Sequence, residues 1–193
     1  MQAHDILHFW FTELTPKQRF AKEAALDEAI NTRFSDTLEA AARCELFAWR
    51  TNAEGRLAEI LALDQFSRNV YRDTPRAFLQ DALALVLAQE LVASGQDQIL
   101  PQRPARVYLH APHAQRVRAA ASPGRCAVSQ TGLEDNLSFE LRHKTIIYRF
   151  GRYPHHNAIL WRSSSAEELA FLSEPRSSFQ AVCPTITTVC VAN

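Results

Sequence analysis

At 193 residues, 47% apolar and 22% charged, the chain carries enough hydrophobic material for one ordinary folded domain, which excludes a disordered or fibrous chain. Its 21 Lys and Arg balance 21 Asp and Glu, so the broad basic surface of a protein that wraps nucleic acid or adheres to an anionic membrane is not written in the composition.

Met1-Gln2-Ala3-His4-Asp5 lacks the basic leader of a secretory signal, and no stretch approaches the roughly 20 apolar residues of a membrane span, so a cytoplasmic location is expected. Cys44, Cys126, Cys183 and Cys190 are scattered without a C-x-x-C pair and read as reduced, structural thiols. Five glycines in the whole chain disfavour a sheet protein rich in tight turns.

The elements follow in chain order. Ile6, Leu7, Phe9, Trp10 and Leu14 predict a short, strongly buried first helix, and Thr15-Pro16 then supplies a cap and a proline at the next helical start. From Ala25 to Ala42 the residues Leu26, Ile30, Phe34, Leu38 and Ala41 recur at helical spacing and predict a long amphipathic helix. A third helix is expected from about Glu54 to Tyr71, with Leu57, Ile60, Leu61, Leu63 and Val70 facing the core.

Thr74-Pro75 repeats the cap-plus-proline signal, and the apolar run from Ala77 through Leu91, ended by Gly95, predicts a central, well-covered helix. Pro101 and Pro104 enforce a connection, after which residues from Val107 to Ala121 can be helical, interrupted at Pro112. A loop is bracketed by Ser122-Pro123-Gly124 and Thr131-Gly132, and a helix from about Glu134 to Phe150 follows, ended by Gly151. Pro154 biases Tyr153 away from helix, and a capping box on Ser164 with Glu167, or Ser165 with Glu168, predicts a last short helix through Leu172. The organisation expected is a single helical domain over residues 1–179 with an irregular tail over 180–193.

Two polar constellations could carry chemistry. In Asp64-Gln65-Phe66-Ser67-Arg68-Asn69-Val70-Tyr71-Arg72, a spacing of four places Asp64, Arg68 and Arg72 along one helix face, where the carboxylate can orient the Arg68 guanidinium as an anion receptor. The alternative is an ion pair whose cations favour the negative end of the helix dipole. The second constellation joins His143 to Tyr148-Arg149-Phe150-Gly151-Arg152-Tyr153-Pro154-His155-His156-Asn157 and Trp161-Arg162, with Arg149, Arg152, His155, Asn157 and Arg162 around a Gly-Pro turn. Such a cluster suits phosphate or carboxylate; it equally suits a polar knot that satisfies backbone groups opened by a broken helix. His113, His143, His155, His156 and Asp64 show none of the recognised metal spacings, so no metal is expected. No nucleophile elbow, phosphate loop or dinucleotide fingerprint is present, and no cofactor is implied.

With both segments in view, the chain resembles the domain of unknown function 924 family of bacterial proteins. The resemblance rests on Ile6-Leu7-His8-Phe9-Trp10-Phe11, Leu63 to Arg72, Arg149 to Asn157, Ser164 to Glu168 and Ser177-Ser178-Phe179. It implies an all-α fold of antiparallel helices in a compact tetratricopeptide-like superhelix, and it implies no activity. Four departures stand out. Ser67 replaces a proline, His156 replaces an arginine, and Trp161 replaces a glycine where a close backbone approach is expected. His113-Ala114-Gln115 stands where relatives read His-Ser-Glu, which retains the imidazole and loses the hydroxyl and carboxylate.

The reading that follows is a polar pocket in which Asp64, Arg68, Asn69, His113, His143, Arg149, Arg152, His155, Asn157 and Arg162 hold a small anionic ligand. If the pocket is catalytic, His143 or His155 moves the proton and the arginines stabilise negative charge. The alternative is a non-enzymatic helical scaffold for a protein or peptide partner. Neither reading involves nucleic acid or membrane.

Overall fold

In a computed structural model, which describes residues 1–19, 21–100 and 145–174, every regular element is helical and no strand occurs among the described residues. These residues fall into two units, Met1–Arg152 and Tyr153–Asn193.

The first unit begins with α1 (Ala3–His8), which continues into a π-helical turn, Phe9–Glu13, closed by Leu14 N–H donating to Phe9 O at 3.2 Å. Ile6, Phe9 and Trp10 are buried, as the apolar run predicts. The carbonyls left open at the end of this helix are met by one side chain: Arg19 donates to Trp10 O (2.7 Å), Phe11 O (3.2 Å) and Leu14 O (3.1 Å). Arg19 is delivered by α2 (Pro16–Arg19), which Thr15 caps by reciprocal bonds with Gln18.

α3 (Ala24–Ala42) buries Leu26, Ile30, Phe34, Thr37, Leu38 and Ala41 along one stripe, the face read from the sequence with Thr37 added. A 3-10 turn, Phe47–Thr51, leads to Asn52, whose side chain accepts from Gly55 N–H at 2.8 Å and caps α4 (Ala53–Leu61). Gly55 is required at this start because a Cβ there would stand 2.0 Å from the Trp49 carbonyl oxygen. The turn is tied to α4 by Arg50, which grips the fully buried Glu59 carboxylate at 2.7 and 2.6 Å.

α4 passes without a break through a second π-helical turn, Ala62–Phe66, into α5 (Ser67–Val70), so the helix expected from about Glu54 to Tyr71 exists as a continuous rod with one widened turn. Leu57, Ile60, Leu61 and Leu63 are buried on it. α4 packs against α1 and α6, and α5 against α3. Where they meet, Phe9, Trp10, Phe34 and Phe66 form an aromatic cluster, with Phe66 at 5.0 Å from Phe34 and 5.7 Å from Trp10 between ring centroids.

Beyond this rod the structure departs from two expectations. Thr74-Pro75 opens a 3-10 turn, Pro75–Phe78, and α6 (Asp81–Ala93) starts separately at Asp81. α6 is also not covered on all sides. It buries Ala84, Leu87, Ala88 and Leu91, while Val86 is exposed, so packing along one face decides its burial although apolar residues surround it. Gly95, at φ 72, ends the segment and leads into a 3-10 turn, Gln96–Ile99.

The described part of the later chain resumes with helix α7 over residues 145–150, where Ile146 and Ile147 are buried. Gly151 ends it in the left-handed region at φ 69, its N–H donating to Ile147 O at 2.8 Å. The expected segment 107–121, the loop 122–132, the start of the helix from Glu134, and the tail 180–193 lie outside the described residues.

In the second unit, Tyr153 is extended (φ −91, ψ 111) before a 3-10 turn, Pro154–His156, as the proline requires. α8 (Ala166–Ser173) is opened by the capping box on Ser165: Glu168 N–H donates to Ser165 Oγ at 3.2 Å, and Ser165 N–H donates to Glu168 Oε2 at 2.7 Å. α8 packs against the 3-10 turn.

Candidate functional site

The first polar motif lies at the end of the α4–α5 rod. Asp64, in the π-helical turn, is buried and accepts from Arg68 Nη2 at 3.1 Å and from Gln65 Nε2, so the i, i+4 pair read from the sequence is formed. Arg68 also donates to Ala77 O at 2.5 Å and pairs with Asp81 at the start of α6, 3.0 Å away, while its guanidinium lies 4.5 Å from the Phe78 ring centre. Burial disfavours the Arg68 cation, but the Asp64 and Asp81 carboxylates outweigh it and hold its pKa above the ordinary value.

Arg72 does not continue that face. The helix ends at Val70, so Arg72 sits in the following turn and reaches back to Asp27 on α3, with both contacts at 2.5 Å and a third bond to Asn69 Oδ1 at 2.9 Å. Asn69 is buried and donates to Gln65 O at 2.9 Å. Nearby, Tyr71 donates its hydroxyl to Glu39 on α3, and Arg76 donates to the same carboxylate at 2.9 Å from above the tyrosine ring. Burial and the Glu39 bond raise the Tyr71 pKa. Two cations, Arg68 and Arg72, therefore meet three carboxylates, Asp64, Asp81 and Asp27. The cluster has no surplus positive charge, and its bonds join α3, α5 and α6.

The second motif has the opposite charge pattern. Between Leu141 and Ala166 the sequence holds Arg142, Lys144, Arg149, Arg152 and Arg162 with His143, His155 and His156, and no Asp or Glu at all. Arg149 is exposed, with its guanidinium 4.8 Å from the Phe150 ring centre, and Arg152 is half-buried at the end of the first unit. In the second unit Tyr153, His155 and His156 form an aromatic triad, with the two imidazoles 4.3 Å apart and edge-on. Burial pushes the Tyr153 hydroxyl pKa well above its usual range. Asn157, 1% exposed, donates Nδ2 to Ser164 Oγ at 3.0 Å, and its carbonyl accepts from Arg162 N–H at 2.8 Å, which folds Arg162 back onto the turn.

Within each motif, sequence neighbours are thus brought together: Asp64 with Arg68, Asn69 with Arg72, His155 with His156, and Asn157 with Arg162. His113 and His143 lie outside the described residues. Sequence reasoning missed Asp81, Asp27 and Ser164, the partners that fix Arg68, Arg72 and Asn157. Only Ser164, seven residues from Asn157 in a serine run, carried a local signal. Trp161 does not sit at a close backbone approach. Its indole is 87% exposed, and the position is special because its backbone is left-handed, at φ 50. Among the described residues no three His, Cys, Asp or Glu side chains group as metal donors would, and no helix is long and apolar enough to cross a membrane.

These features define an all-helical protein with one polar knot of internal ion pairs and one turn bearing arginines and histidines. The chain belongs to the family described as bacterial protein of unknown function (DUF924), whose model matches residues 6–176. It is similar to the solved structure of a protein of unknown function from Agrobacterium tumefaciens, with 39% sequence identity and a TM-score of 0.77 over 90% of this chain and 97% of that one. No curated protein matches the chain.

Proposed function

We propose that the chain binds a small anionic ligand bearing a phosphate or carboxylate. In this reading Arg149, Arg152 and Arg162 supply charge, and His155 and Asn157 supply hydrogen bonds. The observation that carries it is the run from Leu141 to Ala166, five Lys and Arg and three His without a carboxylate, in a chain whose total charge is zero. Guanidinium groups match the planar faces of carboxylate and phosphate and hold them by charge-assisted bonds. Asp64, Arg68 and Asn69, also read from the sequence as ligand residues, have polar groups engaged within the first unit and serve there as a braced frame. Should a reaction follow binding, His143 or His155 is the proton-transfer group.

A second reading, a helical scaffold of tetratricopeptide-like form for a protein or peptide partner, is favoured by the first motif, whose cations are all matched by carboxylates of the chain itself. A thermal-shift screen of phosphorylated and carboxylated metabolites, run on the protein and on Arg149→Ala, separates the two. Binding predicts stabilisation by one ligand class at concentrations well above Kd, about 2.7 kcal/mol at a hundredfold excess, and its loss in the variant. A flat response across the panel, with the variant unchanged, supports the scaffold.

A further inference from the structure

The later histidines show no metal spacing, but the first two do. His4 and His8 stand one turn apart on α1, both exposed, in an H-x-x-x-H run that puts two imidazoles on one helix face. Their rings lie with centres 5.9 Å apart. Two imidazoles on one zinc ion hold their centres about 5–6 Å apart, because each Zn–N bond is about 2.0–2.1 Å and the angle between the bonds is tetrahedral or wider. The separation therefore already suits a shared ion, and rotation of the rings brings one nitrogen of each toward it.

A carboxylate prepares His8 for this role. His8 Nδ1 lies 3.3 Å from Glu13 Oε1, and Arg33 on α3 holds that carboxylate through bonds of 2.7 and 3.0 Å. Arg33 draws the Glu13 pKa down to about 2, so the carboxylate can only accept, and the proton of a neutral His8 ring sits on Nδ1. Nε2 is left with its lone pair. Metal-bound histidines regularly carry such a carboxylate on their other nitrogen. Among the described residues His4 has no hydrogen-bond partner and meets only the His8 ring. The helix beneath the pair is fixed beforehand, since Ile6, Phe9 and Trp10 bury its opposite side.

We propose that His4 and His8 chelate zinc or a neighbouring late transition metal ion, one nitrogen each, with Glu13 orienting His8. Imidazole nitrogen suits these ions, whereas magnesium and calcium take oxygen. Asp5, between the two histidines, accepts from Gln2 N–H at 2.7 Å as part of the helix start. No third donor joins the pair among the described residues, so water takes the remaining positions. Because only the helical form presents the two rings together, the ion stabilises α1, which packs against α4.

Calorimetric titration of the full chain, free of any affinity tag, with zinc chloride tests this, and imidazole nitrogen NMR locates the ion. The tightest equivalent should shift the ring nitrogens of His4 and His8 and leave those of His155 and His156 in place. Glu13→Gln should weaken binding about tenfold, and His4→Ala or His8→Ala, both at exposed positions, by more. Magnesium chloride should move none of these signals. Zinc that does not bind, that binds equally well to both alanine variants, or that shifts other histidines in preference to His4 and His8 would overturn the proposal. An affinity unchanged in Glu13→Gln would overturn the part given to Glu13.

Discussion

Arg72 and Asp27, 45 residues apart, face each other as a two-pronged ion pair with both contacts at 2.5 Å and about a quarter or less of either side chain exposed. The pair bolts the turn after α5 to the first part of α3. The hydrogen bonds that Arg72 donates to Asp27 are the main reason its pKa is raised.

A double-mutant cycle on Arg72→Ala and Asp27→Ala should therefore return a coupling free energy of about 1–3 kcal/mol by urea unfolding, more than an exposed pair supplies. Arg72→Lys should recover less than half of it, because an ammonium cannot bridge both carboxylate oxygens. Additive single mutants would show that the pair is an incidental surface contact.

Arg68 is the more demanding site, since removing its guanidinium strands two carboxylates, Asp64 and Asp81, that are nearly enclosed. Arg68→Ala should lower unfolding stability by about 3–5 kcal/mol, the usual consequence of leaving a buried charge without its partner. Adding Asp81→Asn to that variant should restore part of the loss by deleting one stranded charge. A loss below about 1 kcal/mol in chemical denaturation would contradict this account of the knot.

Helix-period spacing exposed α3 and the α4–α5 rod, because burial along a helix repeats with the backbone and so leaves its mark on neighbouring residues. The same locality made Asp64 and Arg68 legible, being one turn apart. It failed for Arg72, whose partner is on another helix and whose own helix stops two residues earlier. It failed again at Thr74-Pro75, because a proline after a threonine opens a 3-10 turn as readily as an α-helix. For Asn157 the residue was legible and its partner was not: a polar side chain can be read from sequence, but the group it meets depends on three-dimensional placement.

Trp161 offers a test of backbone strain apart from any site. A bulky residue at φ 50 pays a steric penalty that glycine does not, and an indole 87% exposed recovers little of it through packing. Trp161→Gly should raise stability by about 1 kcal/mol, read as an increase in Tm, whereas Trp161→Val should lower it. A drop in Tm for the glycine variant would mean that the indole makes a stabilising contact outweighing the strain.

Glu13 sets an acid-side dependence. Hydrogen bonds from Arg33 at 2.7 and 3.0 Å, aided by His8, draw its pKa from 4.5 to about 2. A carboxyl whose folded pKa is depressed contributes its stabilisation in full above its ordinary range and loses it as pH falls toward the folded value. The stability difference between the protein and Glu13→Gln should accordingly be constant above about pH 5.5 and shrink steadily toward pH 2. A difference independent of pH over that interval would separate Glu13 from the titration.

The widened turn at Ala62–Phe66 houses one residue more than an α-helix would between the same two ends. Taking one position out of that turn would let it close into ordinary α-helix with both ends in place, so Phe66 would keep its rings and Arg72 its carboxylate. The surplus residue is thus slack in the rod, the place where the chain can lose a link without its two ends changing partners.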